Sequence, residues 1–213
     1  MNSDIKIKVC GMRQAQNIKE LIQLTPDYIG FIFYPKSPRF AGEILDSKVT
    51  FGIPANIKKT GVFVNSDLEY IIKTCEKFKL NTVQLHGKES KNLCQNIKNH
   101  GYEVIKAFSI KSDEEINKIT DYNEDCDFFL FDTPTAQYGG SGRKFDWSLL
   151  ANTKIEKPFF LSGGIEENDA KTILNDCPVK PYAIDINSRF EVAPGLKNIE
   201  SVARFINEIR NVK

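Results

Sequence analysis

Pro158-Phe159-Phe160-Leu161-Ser162-Gly163-Gly164 joins a short, wholly apolar run to a serine and two glycines. A run without polar alternation suits a strand buried on both faces, and such strands belong to parallel sheets. The glycines that follow allow a tight turn into the next element and let backbone N–H groups approach a ligand. The same arrangement recurs along the chain. Ile5–Val9 ends in Cys10-Gly11, and Phe128–Phe131 ends in Asp132-Thr133. Tyr182–Ile186 carries Asp185 and runs into Asn187-Ser188. Tyr28–Phe33, Thr60–Val64, Thr82–Leu85 and Glu103–Phe108 bring the strand candidates to eight.

Between these runs the apolar spacing turns helical. Leu68, Ile71, Ile72, Cys75 and Phe78 fall on one face, as do Ile199, Val202, Ala203, Ile206 and Ile209. Ser66 with Glu69, and Ser112 with Glu115, read as capping boxes that start helices. Strand–helix alternation fits a closed parallel barrel and an open doubly wound sheet equally well. The chemically unusual residues favour the barrel, because all of them stand at the C-terminal ends of strands, which a barrel gathers into one rim. The chain is therefore expected to be α/β, a (β/α)8 barrel, with residues 1–213 forming a single domain. Tyr34–Gly42 and Pro134–Arg143 read as functional loops.

Composition sets the classes of partner. Lys plus Arg is 29 against 28 for Asp plus Glu, a net charge of +1. Nothing in that balance attracts nucleic acid or an anionic membrane, so an anionic ligand must be held locally. No apolar run approaches the roughly 18–20 residues of a membrane span. Met1-Asn2-Ser3-Asp4 leads directly into an alternating segment without a signal-peptide pattern, which suggests a cytoplasmic protein. The five cysteines are odd in number and contain no CxxC, so neither a disulfide framework nor a structural zinc is expected. Two separated histidines, His86 and His100, argue against a metal site. Nucleotide fingerprints are absent too, and no cofactor is expected.

Three late loops are rich in small residues: Tyr138-Gly139-Gly140-Ser141-Gly142-Arg143, Ser162-Gly163-Gly164 and Ile186-Asn187-Ser188-Arg189. Each glycine alone could serve only a tight turn. Together, in this order, the loops favour a phosphate clamp, as the loops after strands seven and eight commonly form in such barrels. Asp132 closes an apolar wall that favours its protonated form, fit to donate a proton; capping the Thr133 loop or pairing with a base is the plainer role. An exposed Cys10 would serve as base or nucleophile, whereas a lone cysteine is more often a small buried hydrophobe. Cys75, Cys94 and Cys177 take that plainer reading, and Cys126 stays unassigned. Arg39, in Ser37-Pro38-Arg39-Phe40, is either a bidentate carboxylate grip or a surface arginine. His86 either meets substrate at the rim or caps its strand, and His100 beside Gly101 reads as a helix C-cap.

Taken together, these segments resemble the phosphoribosylanthranilate isomerases. The resemblance runs nearly the full length, in order, and is carried by several stretches. The first are Lys8-Val9-Cys10-Gly11-Met12, Gly30-Phe31 with Ser37-Pro38-Arg39, and Gly61-Val62-Phe63-Val64-Asn65. Val83-Gln84-Leu85-His86-Gly87, Asp132-Thr133, and Gly139-Gly140-Ser141-Gly142 with Phe145-Asp146-Trp147 follow. The last are Leu161-Ser162-Gly163-Gly164-Ile165, then Asp185-Ile186-Asn187-Ser188 through Glu191 and Pro194-Gly195-Leu196-Lys197.

The resemblance implies a TIM barrel that rearranges N-(5-phosphoribosyl)anthranilate to 1-(2-carboxyphenylamino)-1-deoxyribulose 5-phosphate without metal or organic cofactor. It implies Asp132 as general acid and Cys10, as thiolate, as general base. Arg39 would bind the anthranilate carboxylate. Gly140, Gly142, Gly163, Gly164, Ser188 and Arg189 would bind phosphate, with His86 and Asp185 as further substrate contacts. The expected partner is a small phosphorylated molecule, and the expected assembly is a monomer or homodimer. One residue departs from the family pattern. Arg189 follows Ser188 where the family often has glycine, which leaves that corner of the phosphate site open. Among rivals, an indole-3-glycerol-phosphate synthase would need catalytic lysines at strand ends, whereas Lys8 and Lys106 lie within strand runs. A ribulose-phosphate 3-epimerase would need more metal-binding histidines. A non-catalytic phosphosugar-binding protein would be expected to lack Cys10 or Asp132.

Overall fold

The computed structural model describes residues 4–110, 119–133, 147–150 and 155–211. Eight parallel strands close into a barrel in sequence order: β1 (Lys6–Val9), β2 (Tyr28–Ile32), β3 (Lys58–Phe63), β4 (Thr82–Leu85), β5 (Glu103–Ser109), β6 (Phe128–Asp132), β7 (Phe159–Leu161) and β8 (Ala183–Ile186). β8 returns to β1 in the register Lys8↔Asp185 and Val9↔Ile186. Closure leaves no strand edge, so every ladder N–H and C=O within the sheet finds a partner. Each apolar run named from sequence becomes a strand, and the differences are at the ends. β3 starts two residues before Thr60, since Lys58 and Lys59 pair with Tyr28 and Ile29 while keeping part of their surface in solvent.

Alternation along the strands divides the core. Tyr28, Ile105, Ala107, Leu130, Phe160 and Ala183 pack together inside the barrel, with the Tyr28 and Phe160 rings edge to face at 5.1 Å. Above them Cys10, Ile32 and Val62 form a smaller apolar group. The opposite strand faces carry Ile7, Val9, Ile29, Phe31, Phe63, Phe129, Phe131 and Ile184 into the layer beneath the helices. Fully burying side chains of this size contributes roughly 1.5–3 kcal/mol each. The barrel interior is thus solid at its base, and chemistry is confined to the upper end.

The helices follow the apolar stripes: α1 (Ala15–Ile22), α2 (Ser47–Phe51), α3 (Leu68–Phe78), α4 (Lys91–Asn99), α5 (Ala170–Asp176) and α6 (Ile199–Arg210). In α3 the stripe buries Ile71, Cys75 and Phe78, and in α6 it buries Val202, Ile206 and Ile209. The cap of α3 differs from the expectation. Asp67, not Ser66, is the N-cap and accepts the Tyr70 N–H at 2.8 Å, while Glu69 pairs with Lys73 one turn on. Ser112 and Glu115 lie outside the described residues. His100 is the C-cap of α4, with Nδ1 2.8 Å from the Asn96 carbonyl and Gly101 at φ +85° behind it. One feature was not legible in the periodicity: β9 (Glu191–Ala193) and β10 (Leu196–Lys197) form an antiparallel hairpin turning at Pro194-Gly195, directly after β8.

Candidate active site

The strand ends meet around a cavity of about 700 Å³, open mouth included, lined by Cys10, Gln84, His86, Asp132, Ser162, Gly163, Gly164, Asp185, Asn187 and Ser188 among others. Ile32, Tyr34, Val62, Val64 and Ile165 supply its apolar wall. Cys10, His86, Asp132, Gly163, Gly164, Asp185 and Ser188, named from sequence, are therefore brought together.

Cys10 extends the β1 ladder by donating its N–H to the Ile186 carbonyl at 2.9 Å. Its thiol is buried, the plainer of the two readings the sequence allows, because Ile32 and Val62 close over it. Gly30 makes the space: a Cβ built there would stand 2.7 Å from the Cys10 sulfur. Burial pushes the thiol up, and the Lys8 ammonium is the largest influence in the opposite direction. Lys8 lies two residues earlier on the same face of β1, fully buried, with its ammonium 2.7 Å from Asp185 Oδ2. Asp185 Oδ1 has no hydrogen-bond partner among the described residues, although Asp185 lines the cavity. A buried acceptor left without a donor is costly, so this oxygen is available to a ligand hydroxyl.

Asp132 ends β6. Its Oδ1 accepts the Thr133 N–H at 2.7 Å, which is the capping contact weighed from sequence, and its Oδ2 lies 3.3 Å from His86 Nε2. The other ring nitrogen of His86 stands 2.8 Å from Gln84 Nε2. With the amide donating to Nδ1, the imidazole carries its proton on Nε2, aimed at Asp132. His86 thus faces both Asp132 and the cavity. Gly163, at φ +95°, lets β7 turn away where a Cβ would strike Thr133 Oγ1 at 2.4 Å and crowd Asp132 Oδ1 at 3.1 Å. The Ser162-Gly163-Gly164 turn and Asn187-Ser188 sit at adjacent corners of the rim, where backbone N–H groups can converge on an anion. Gly140 and Gly142 lie outside the described residues.

Two residues named from sequence do not line the cavity. Arg39 is buried in a bidentate pair with Glu191, its Nε 3.0 Å from both carboxylate oxygens and its Nη2 2.8 Å from Oε2. Lys197 joins from the other side, 2.6 Å from Glu191 Oε1 and 2.7 Å from Asn187 Oδ1. The two cations hold the Glu191 carboxyl below its usual range despite its burial. Arg189 follows Ser188 in the short helical turn Ser188–Phe190, and its Nε lies 3.4 Å from Glu166 with both side chains about half exposed. The nearby Glu191 carboxylate belongs to Arg39 and Lys197.

Cys75, Cys94 and Cys126 are buried away from the cavity. Burial pushes Cys75 and Cys126 up to about 12 and Cys94 up to about 11, and Cys126 donates its thiol to the Tyr122 carbonyl. Lys106 turns away from the cavity, 2.8 Å from Glu89 Oε2 and from the Gly87 carbonyl. Lys8, Gln84 and the Glu191–Lys197 pair are the residues of this neighbourhood that sequence reasoning missed. For Lys8 a signal was present: two positions from Cys10 puts it on the same strand face.

Comparison with known proteins gives one answer. A family model described as N-(5'phosphoribosyl)anthranilate (PRA) isomerase matches residues 7–208. The N-(5'-phosphoribosyl)anthranilate isomerase of Parabacteroides distasonis is 45% identical over 95% of this chain and 92% of its own length. That of Phocaeicola vulgatus is 39% identical over 96% and 97%. Among solved structures, the phosphoribosyl anthranilate isomerase from Thermotoga maritima superposes with a TM-score of 0.85 at 31% identity, covering 96% of this chain and 98% of that one. A phosphoribosyl anthranilate isomerase in complex with reduced 1-(o-carboxyphenylamino)-1-deoxyribulose 5-phosphate superposes with a TM-score of 0.83 at 29% identity and the same coverage. With eight strands closed in order and the match running from β1 into the last helix, the chain belongs to the N-(5'-phosphoribosyl)anthranilate isomerase family.

Proposed function

We propose that this chain converts N-(5-phosphoribosyl)anthranilate to 1-(2-carboxyphenylamino)-1-deoxyribulose 5-phosphate in tryptophan biosynthesis, with Asp132 as general acid and Cys10 as general base. The observation that carries the reading is the placement of a carboxyl and a thiol, from β6 and β1, in one cavity beside the Ser162–Gly164 turn. Asp132 gives its proton to the furanose ring oxygen as the C1′–O bond breaks, leaving a Schiff base at C1′. The Cys10 thiolate takes the C2′ proton, whose bonding electrons form the C1′–C2′ double bond of an enolamine. Tautomerisation then yields the aminoketose. Positioned proton transfers of this kind typically contribute 10²–10⁴-fold each.

The other contacts follow from their places. Ser162, Gly163, Gly164 and Ser188 offer backbone donors to the phosphate, with Gly140 and Gly142 assigned to the same group. Asp185 Oδ1 and His86 face the sugar hydroxyls. Arg39 meets the anthranilate carboxylate through Nη1, the nitrogen that Glu191 leaves uncommitted among the described residues, while the bidentate pair fixes the guanidinium plane. Arg189 adds its guanidinium at the phosphate corner by leaving Glu166. A reducing cytoplasm is part of the proposal, and the five free cysteines support it. So is a monomeric or homodimeric state; one similar structure is described as monomers generated from the dimeric Thermotoga maritima isomerase.

The test is direct. Purified protein is mixed with freshly made phosphoribosylanthranilate, and the anthranilate-type fluorescence is followed. A decay that depends on enzyme concentration and ends at the aminoketose is expected. Decay no faster than the uncatalysed reaction would contradict the assignment.

A further inference from the structure

Lys8 is fully buried, sits inside the barrel, and has no place in the proton transfers just described. A buried ammonium is expensive unless it is paired, and a buried ion pair taken together could be replaced by apolar residues of similar volume with little loss of stability. Asp185 faces it across β1 and β8 in direct register, at 2.7 Å. That pair binds one carboxylate oxygen and leaves Oδ1 in the cavity wall without a partner. On the other side, the strand places Cys10 two residues beyond Lys8 on the same face. Resting on the reading of Cys10 as base, we infer that Lys8 is a positioning residue for that base: its ammonium, anchored by Asp185, stands beneath Cys10 to stabilise the thiolate.

The charged groups around the sulfur act in both directions. Lys8 from β1 and Lys197 from β10 favour the thiolate, and Asp185 from β8 opposes it. Asp132 and His86 act on Asp185 from across the cavity. Lys8 itself is held above the ordinary lysine range by Asp185, so it stays charged despite burial. Ile32 and Val62, which complete the surroundings of the thiol, carry no charge. A thiol in an apolar wall would otherwise stay protonated and inert.

The experiment reads the thiol rather than turnover. Cys10 is alkylated with iodoacetamide between pH 5 and 11, and its modification is quantified by peptide mass spectrometry. Lys8→Met should move the midpoint of the rate–pH curve up by about one unit or more, about tenfold less thiolate near neutrality. Lys8→Arg, which keeps the charge, should restore most of the shift. Asp185→Asn, which removes the opposing charge, should move the midpoint down. An unchanged midpoint in Lys8→Met overturns the proposal. If that variant does not fold, an unchanged or raised midpoint in Asp185→Asn overturns it instead. Failure of the parent reading looks different: Cys10→Ala would retain turnover while the alkylation midpoints still shifted.

Discussion

The two sides of the cavity are held in opposite ways. On the β8–β1 side Cys10, Lys8, Asp185, Lys197, Glu191 and Arg39 are all buried, and every charge but one carboxylate oxygen is paired. On the β4–β6 side Asp132 and His86 are partly exposed and joined by one contact of 3.3 Å, with Gln84 behind the ring. The proposed chemistry accounts for the asymmetry. A thiol must be ionised to act as a base, and inside an apolar wall that requires fixed charges. A carboxyl that gives and regains a proton needs a route to water and a light restraint. The base is built into the barrel, whereas the acid stands at its mouth.

The largest effects should come from the two proton-transfer groups themselves. Cys10→Ala and Asp132→Asn should each lower kcat by about 10²–10⁴-fold at neutral pH and leave binding of a product analogue largely intact. Cys10→Ser should be nearly as poor, since a hydroxyl supplies little anion near pH 7. Near-normal kcat in any of these variants, measured by fluorescence, removes that residue from the mechanism.

Next in size is Glu191, which should separate the buried side from the exposed one through stability. Glu191→Gln leaves Arg39 and Lys197 buried against each other without their shared anion, a loss of about 3–5 kcal/mol by the usual cost of breaking a buried pair. The sign with pH follows from the depressed carboxyl. Its contribution is complete above the unfolded value near 4.5 and is lost as pH falls through the lower folded value. Thermal melts from pH 7 down to pH 2 should therefore show a flatter acid limb in Glu191→Gln than in the parent. Parallel curves would show that the carboxylate is not held by its partners.

A smaller effect is expected at Arg189. Its pair with Glu166 is about half exposed, and solvent weakens whatever the guanidinium adds at the phosphate corner. Arg189→Ala should raise KM by about two- to fivefold with kcat unchanged, as loss of a contact made equally in ground and transition states requires. An unchanged KM at low ionic strength would leave phosphate to the backbone alone. The smallest effect concerns metals: exhaustive chelation should leave turnover as it was, because both proton transfers are assigned to side chains.

What was legible in the sequence was mostly what local chemistry encodes. The eight strand candidates became the eight strands: Phe128–Phe131 and Phe159–Leu161 carry the continuous apolar signature of burial on both faces, while Ile5–Val9 alternates. Cys10, Asp132, His86 and Ser162–Gly164 were visible because each stands directly after or at the end of such a run. Partnerships were not legible. Lys8 meets Asp185 across 177 positions, and Arg39 meets Glu191 across 152, and nothing local announces either pair. The hairpin that delivers Glu191 and Lys197 is too short for any periodicity. Ser66 with Glu69 three residues on has the spacing of a capping box, but Asp67 beside it suits the cap equally, and the backbone places Asp67 there.

The division of labour between the two sides is tested most directly by kcat/KM across pH for the parent, Cys10→Ala and Asp132→Asn. With a base and an acid both required, the parent profile is a bell. Cys10→Ala should lose the rise that follows thiolate formation and keep the dependence on the acid's proton. Asp132→Asn should keep only the thiol's dependence, a rate that rises as pH climbs through the thiol's raised value. A bell with both limbs intact in either variant would contradict the assignment of base to Cys10 and acid to Asp132.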